Sequence, residues 1–548
     1  MPGNSSSPVA SNPVSLLTAS ALKAWIRDGR ELALIDVREN GVFSRKHLLL
    51  AANAPLWRLE LLIGSLVPRR DTRLVLVDLD GSLVRQAAVK LRELGYTNVH
   101  WLEGGTVAWE RAGFEVFSGV GVPSKAFGEV IEHQLRTPTI DARDLHQRLQ
   151  RGDDLVVVDG RTPEEFFRFS IPGARSVPNA ELVYRLREVA PSPNTLVVVN
   201  CAGRTRSILG AQTLINAGVP NPVVSLKDGT AAWTFEGLEL QVGKGDALPE
   251  PKQEALSDAA ARTQKFAKAV GVQAIELSKL KSLETDGNRS LFLFDVRSRE
   301  EYVAGHLPGW RWAPGGQLIQ ATDEYIGVRH ARVVLADWDG VRAWTTAAWL
   351  AQMGSFEVYV TDPRVHHGPL ESGAEPARVW RPANPAAWIS ARQLEALRES
   401  GRVGIFDVES SVSFAAKHIA GARFSSPDRL PEFVASLEAD VPIVVTAVDA
   451  ALALSVASEL KRRSGRDVRA LAGGNQAWFS LDLPTAQGRD DILTGDDDAW
   501  FSTYALATHE ERMKFMRDYL EWEVALAQQV ERDGDANFRL VPPLQAGA

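Results

Sequence analysis

A chain of 548 residues is too long for one hydrophobic core and implies roughly three to five domains. Its 45% hydrophobic and 24% charged residues are those of an ordinary globular protein, and a net charge of −8 gives no electrostatic reason to expect nucleic acid or an acidic membrane surface as partner. One cysteine excludes an intrachain disulfide, no stretch approaches bilayer-spanning length, and residues 1–20 lack a basic segment ahead of an apolar run, so a cytoplasmic location is expected.

Four passages of the chain share one order of elements. The first starts with helical spacing at 20–27, then an apolar run closed by Asp36-Val37-Arg38, with His47 eleven residues after the Asp. A second apolar run, 74–77, leads to a helical pattern stopped by Gly95 and then to Gly104-Gly105-Thr106-Val107-Ala108-Trp109. The second passage repeats this with a helix at 142–150, Asp159-Gly160-Arg161, Ser170 in place of the His, a run at 196–199, Gly218 and Asp228-Gly229-Thr230-Ala231-Ala232-Trp233. A Gly/Pro/charged linker and an Ala-rich helix (Ala255 to Ala269) follow. The third passage has Asp295-Val296-Arg297, His306, a run at 333–335 and Gly354, and lacks the Trp ending. The fourth has a helix at 391–398, Asp407-Val408-Glu409, His418, a run at 443–445, Gly465 and Gly473-Gly474-Asn475-Gln476-Ala477-Trp478. Beyond it lie an acidic patch at 496–498 and a long helix with Met513, Met516, Leu520, Trp522 and Val524 on apolar positions, suited to packing on a neighbouring unit or a second subunit. Alternating helices and unbroken apolar strands predict, in each passage, a small doubly wound parallel sheet with helices on both faces. The predicted domains are 14–120, 130–242, 272–375 and 386–485, with a helical tail over 486–548.

The lone cysteine stands where the run 196–199 gives way to Asn200-Cys201-Ala202-Gly203-Arg204-Thr205-Arg206-Ser207. Ile208, Ala211, Leu214 and Ile215 then recur at helical spacing. A thiol at the carboxyl end of a strand and the amino end of a helix faces backbone N–H groups that hold anions. Those donors, with Arg204 and Arg206, favour thiolate over thiol. Counted from the ends of the apolar runs, the other passages place Leu79, Trp338 and Val448 at this position, and the first and third loops come out one residue shorter.

The Asp-x-Arg turn, the Leu-Pro-Gly type turn after His306, the cysteine loop and the Gly-Gly-x-x-Ala-Trp ending together resemble the rhodanese family, four domains in tandem. The resemblance implies the rhodanese fold and sulfurtransferase chemistry on Cys201: attack on a sulfane sulfur, a persulfide, and release to a thiophilic acceptor. An anionic donor such as thiosulfate and an acceptor such as cyanide, a thiol or a protein thiol are the expected partners, with no cofactor and no metal. The amides of Ala202 to Ser207 would stabilise the persulfide, small Ala202 and Gly203 would let the backbone turn without a side chain blocking the pocket, and Arg204 and Arg206 would orient the donor. Thr205 would donate to the anion or cap the helix. Asp159 and Arg161 read as a structural ion pair and Asn200 as a brace for the loop.

Three rivals stand beside this reading. A cysteine phosphatase or arsenate reductase needs Cys, five residues, then Arg, whereas Arg206 comes one position early. A non-catalytic scaffold fits the three cysteine-free passages but not the intact loop. A metal site at His330, His366 and His367 lacks zinc-ligand spacing. The tail helix is compatible with a homodimer.

Overall fold

The computed structural model describes residues 15–365, 368–375, 385–495, 497–500 and 508–541. Within them one α/β unit occurs four times, each a five-stranded parallel sheet between helices. In the second unit the strands stand in the order Thr139–Ile140, Val223–Leu226, Leu196–Asn200, Leu155–Asp159 and Arg175–Ser176, and the other units repeat that order. Leu32–Asp36 and Leu74–Val77 are buried at every position, as strands covered on both faces must be. Parallel strands open their carboxyl ends on one side, and the chain leaving Leu196–Asn200 emerges there from the middle of its sheet.

Helices begin where the sequence supplies caps. Thr162, Ser298 and Ser390 each form a capping box with the Glu or Gln three residues on. The helices expected near the unit starts are Ala19–Arg27, Ala142–Arg151 and Ala391–Glu399, and the linker helix is Gln253–Ala269. His47, Ser170, His306 and His418 each make an antiparallel bridge to the strand leaving the unit, at Phe117, Gln241, Glu371 and Ala486. The three imidazoles stack on Phe43, Tyr302 and Phe414 with ring centres 4.0, 3.8 and 3.7 Å apart. Ser170 keeps the bridge and dispenses with the ring.

The units interlock. Val328–Arg329 of the third joins the sheet of the first, Val328 opposite Ala33 and Arg329 opposite Leu32. Trp349 donates its Nε1 proton to Thr213 Oγ1 of the second unit at 2.8 Å. One apolar core runs through the first, third and fourth units and through helix Val122–Leu135. That helix has no counterpart in the sequence reading. Ser124 through Glu129 are all buried, so it shows no amphipathic stripe.

The tail helix, His509–Asp533, starts at a capping box on Thr508 and lies along Val122–Leu135. Its buried stripe is Leu520, Glu523, Leu526, Val530 and Asp533, whereas Val524, expected on the apolar face, is 50% exposed. Leu526 and Val530 share a core with Leu49, Phe117, Val122 and Ala126. Lys23 Nζ ties down the far end through Asp533 (2.8 Å) and Asp535 (2.6 Å). In the acidic patch, Asp496 lies outside the described residues, Asp497 pairs with Arg45 at 2.5 Å, and Asp498 accepts from the Ser411 amide at 2.7 Å.

Candidate active site

Cys201 is the first residue beyond Leu196–Asn200, and helix Thr205–Asn216 begins four residues later. The N–H groups of Gly203 and Ser207 and the Ser207 hydroxyl face its sulfur and favour its charged form. The amide cradle read from the sequence is therefore present. The ionisation expected of it is opposed by burial. Cys201 is 2% exposed, and burial pushes its thiol above the ordinary 9.0, outweighing the Arg206 charge, the Ser207 hydroxyl and the two amides.

The backbone is fixed from the opposite side. Thr230 N–H donates to the Cys201 carbonyl at 2.9 Å and Ala231 N–H to that of Ala202 at 3.2 Å. Gly229 has φ +54°, and a Cβ there would stand 2.3 Å from the Cys201 oxygen, so the Trp-ending motif needs glycine at this point. Ala202 and Gly203 line the pocket over the sulfur. Gly203 is not in the left-handed region, so its smallness matters for the space over the sulfur and not for backbone strain. A Cβ there would meet Glu523, Leu520 and Tyr519 of the tail helix at 3.6 to 3.7 Å.

Neither arginine is a free arm. Arg204 donates from Nε and Nη2 to Glu129 (both 2.8 Å), from Nη1 to Asp228 (2.7 Å), and touches Glu132. It ties the loop to helix Val122–Leu135 and lines the pocket over Cys201. Burial raises Glu129 to about 7 in spite of this partner. Arg206 donates to both oxygens of Glu165 at 2.6 and 2.8 Å. Burial works to raise Glu165, but the Arg206 bonds win and hold it at about 2. Arg206 is also the charge that most draws Cys201 toward thiolate. Thr205 neither caps the helix nor waits for an anion: its Oγ1 donates to Glu523 Oε1 at 2.5 Å. Ser207 Oγ donates to the Arg204 carbonyl at 2.8 Å. Asn200 Nδ2 donates to Asp159 at 2.8 Å, and Asp159 holds Arg161 at 2.9 and 2.8 Å, a brace repeated as Asp36–Arg38 and Asp295–Arg297.

Sheet register identifies what replaces the cysteine elsewhere. Asp159 stands opposite Asn200, Asp36 opposite Val77, Asp295 opposite Ala336 and Asp407 opposite Thr446. The next residues are Cys201, Asp78, Asp337 and Ala447, one position earlier than the apolar runs suggest. Backbone bonding agrees, since Thr106 N–H meets the Asp78 carbonyl as Thr230 meets that of Cys201. Leu79, Trp338 and Val448 are thus the following residues, and the supposed shortening of two loops disappears. The same spacing separates Asp78 from Gly95, Cys201 from Gly218 and Asp337 from Gly354. In both aspartate loops the carboxylate occupies the cradle. Asp78 accepts from the amides of Gly81, Leu83 and Val84 at 2.6, 2.6 and 3.2 Å, and Asp337 from those of Gly340, Val341 and Ala343 at 2.8, 3.1 and 2.7 Å. Val84 and Ala343 correspond to Ser207. Arg342 grips Glu301 at 2.6 and 2.7 Å, as Arg206 grips Glu165.

A pocket of about 240 Å³ opens over Cys201. Lys125 and Glu165 stand at its sides, and the tail supplies Trp500, Phe515, Met516, Tyr519, Leu520 and Glu523. Trp500 lies 6.3 Å from both Phe515 and Tyr519, whose rings stack at 6.4 Å. The sequence reading found the loop and missed this wall, because Glu523 lies 318 positions from the Thr205 it touches and carries no local signal. Among the described residues no cluster of three His, Cys, Asp or Glu could hold a metal ion. His330 lines a separate polar cleft, and His366 and His367 lie outside the described residues. No described helix is long and apolar enough to cross a membrane.

The Rhodanese-like domain matches residues 18–112, 141–236, 276–363 and 390–481, and the chain belongs to the rhodanese family. As a whole it is similar to the crystal structure of thiosulfate sulfurtransferase from Pseudomonas aeruginosa, with TM-score 0.90 and 40% identity over 96% of this chain and 100% of that one. Smaller proteins match over the length of one unit. A sulfurtransferase of Allochromatium vinosum is 32% identical over 106 residues, 19% of this chain and 96% of its own. Thiosulfate sulfurtransferase GlpE of Stutzerimonas stutzeri is 34% identical over 90 residues, 16% of this chain and 82% of its own. Family and relatives together make this chain a rhodanese-type sulfurtransferase, acting between a sulfur donor and an acceptor.

Proposed function

We propose that Cys201 carries sulfane sulfur from thiosulfate to a thiophilic acceptor by way of a persulfide. The observation behind this is the content of the four cradles: aspartate carboxylates fill two, Ala447 stands in that of the fourth unit, and a sulfur faced by two amides stands only in the second unit. The Cys201 thiolate attacks the outer sulfur of thiosulfate, the S–S bond breaks, and sulfite leaves with the bonding pair. The Gly203 and Ser207 amides face the charge on the sulfur, and Arg206 draws in the anionic donor. The acceptor, cyanide or a thiol, then takes the outer sulfur and restores the thiolate.

Mass spectrometry tests this directly. Incubation with thiosulfate is expected to add one sulfur atom, located at Cys201. Cys201→Ser is expected to lose both the added mass and thiosulfate:cyanide turnover with an unchanged circular dichroism spectrum. Turnover that survives the substitution would overturn the assignment.

A further inference from the structure

One group that the tail brings to the Cys201 pocket has no explanation in packing. Glu523 is 1% exposed, on a face otherwise made of Leu520, Leu526 and Val530, where an apolar side chain would serve the contact with helix Val122–Leu135. It lines the pocket. Its Oε1 takes the Thr205 hydroxyl, whereas Oε2 is buried with no hydrogen-bond partner and lies 3.6 Å from where a Cβ on Gly203 would stand. A buried carboxyl oxygen without a donor is costly to keep, and it is aimed into the chamber of the reactive sulfur.

We propose that Glu523 is the residue that takes the proton from an incoming acceptor thiol, and that this site's acceptors are thiols with an apolar body seated against Trp500, Phe515 and Tyr519. This rests on the persulfide reading of Cys201. The charged and titratable groups facing Glu523 are Lys125 and Glu129 from helix Val122–Leu135, Arg204 from the loop, and Tyr519 from its own helix. Lys125 donates to the Val120 carbonyl and lies over the rings of Trp500 (5.8 Å) and Trp522 (5.6 Å). Burial raises Glu523 above the ordinary 4.5, against the Thr205 bonds and the Lys125 and Arg204 charges, which brings its basicity closer to that of a thiol. The acceptor R–SH gives its proton to Oε2, and the thiolate attacks the outer sulfur of the Cys201 persulfide. The R–S–S bond forms, the Cys201 S–S bond breaks, and its electron pair stays on Cys201. The proton on Glu523 then returns to the Cys201 thiolate, whose basicity burial raises.

Glu523→Gln keeps an acceptor for Thr205 and removes the base. Protein loaded from thiosulfate is unloaded with phenylmethanethiol, which has an S–H proton to lose, or with sulfite at matched dianion concentration, the dianion having none. The expected result is a fall of about 100-fold in the ratio of thiol to sulfite unloading rates near neutral pH, with the thiol rate now following ionisation of the free thiol. Glu523→Asp is expected to recover part of that ratio, and it carries the test should the Gln variant fail to fold. Tyr519→Ala is expected to weaken phenylmethanethiol more than 2-mercaptoethanol. Equal slowing with thiol and sulfite, or an unchanged pH profile, would overturn the proposal. Wild-type protein that takes up no sulfur from thiosulfate overturns the persulfide reading and this proposal with it, and the loading step is read separately from the unloading.

Discussion

Arg206 answers to two neighbours at once. It is held by Glu165 at 2.6 and 2.8 Å, and its charge is the strongest influence opposing the burial that protonates Cys201. The thiolate is the nucleophile, so persulfide formation is expected to accelerate as pH rises from neutrality toward 9 and beyond. Arg206→Gln removes the opposing charge and drives the thiol higher. Loading near neutral pH is expected to slow and the profile to move to more alkaline pH, as timed mass spectra at a series of pH values would show. Profiles that superpose would mean that the arginine serves the fold alone. For Glu165 the sign runs the other way. Its carboxyl lies at about 2 in the fold against an ordinary 4.5, so the pair's contribution is whole above pH 4.5 and is lost as pH falls toward about 2. Glu165→Gln is expected to flatten that part of the acid unfolding curve followed by circular dichroism, while the Glu301–Arg342 pair retains its own share. At this scale the sequence told much: Cys201, its loop and the Asp159–Arg161 brace all stand out as residue types in context. It misled by one position at Asp78 and Asp337, because the end of an apolar run does not reveal which residue is last in register.

At the scale of elements, the amide loop before each helix is a socket that something must fill. Asp337→Ala empties one, leaving the Gly340 and Ala343 N–H groups without their acceptor while Val341 keeps Asp339, and is expected to cost about 1–3 kcal/mol in denaturant unfolding. The tail helix is held chiefly by its inner face. Leu526, fully buried, packs with Phe117 and Val122, and Leu526→Ala is expected to cost about 2–5 kcal/mol. Because that helix also roofs Cys201, the same variant should lose sulfur transfer at denaturant concentrations where the sheets remain intact, a separation visible by comparing activity with circular dichroism. Strands and most helices were legible, since an apolar run or a 3.6-residue period is a local property. Helix Val122–Leu135 was not, being buried on too many sides to display a period, and the tail's inward carboxylates contradict the apolar stripe that a sequence leads one to draw.

Across the whole molecule, repetition was legible and interlocking was not. A cross-unit strand pair such as Val328 with Ala33, or a hydrogen bond such as Trp349 to Thr213, joins residues far apart in the chain and leaves no trace in local pattern. These contacts predict the behaviour of a fragment. Residues 130–242 contain Cys201, yet cut free they would expose Ile208 and Leu209, which belong to the core shared with the other units, and would lack the pocket's roof. Such a fragment is expected to be poorly soluble or, if folded, to lose most of its sulfur transfer to thiols. An isolated fragment with the specific activity of the full chain would contradict the arrangement.

The order in which the chain is made gives the roof a further meaning. During synthesis the cysteine leaves the ribosome hundreds of residues before Tyr519 and Glu523 exist. Its sulfur therefore waits in an unroofed chamber until helix His509–Asp533 has been made and has docked. Products interrupted ahead of that helix would carry the reactive loop without its cover.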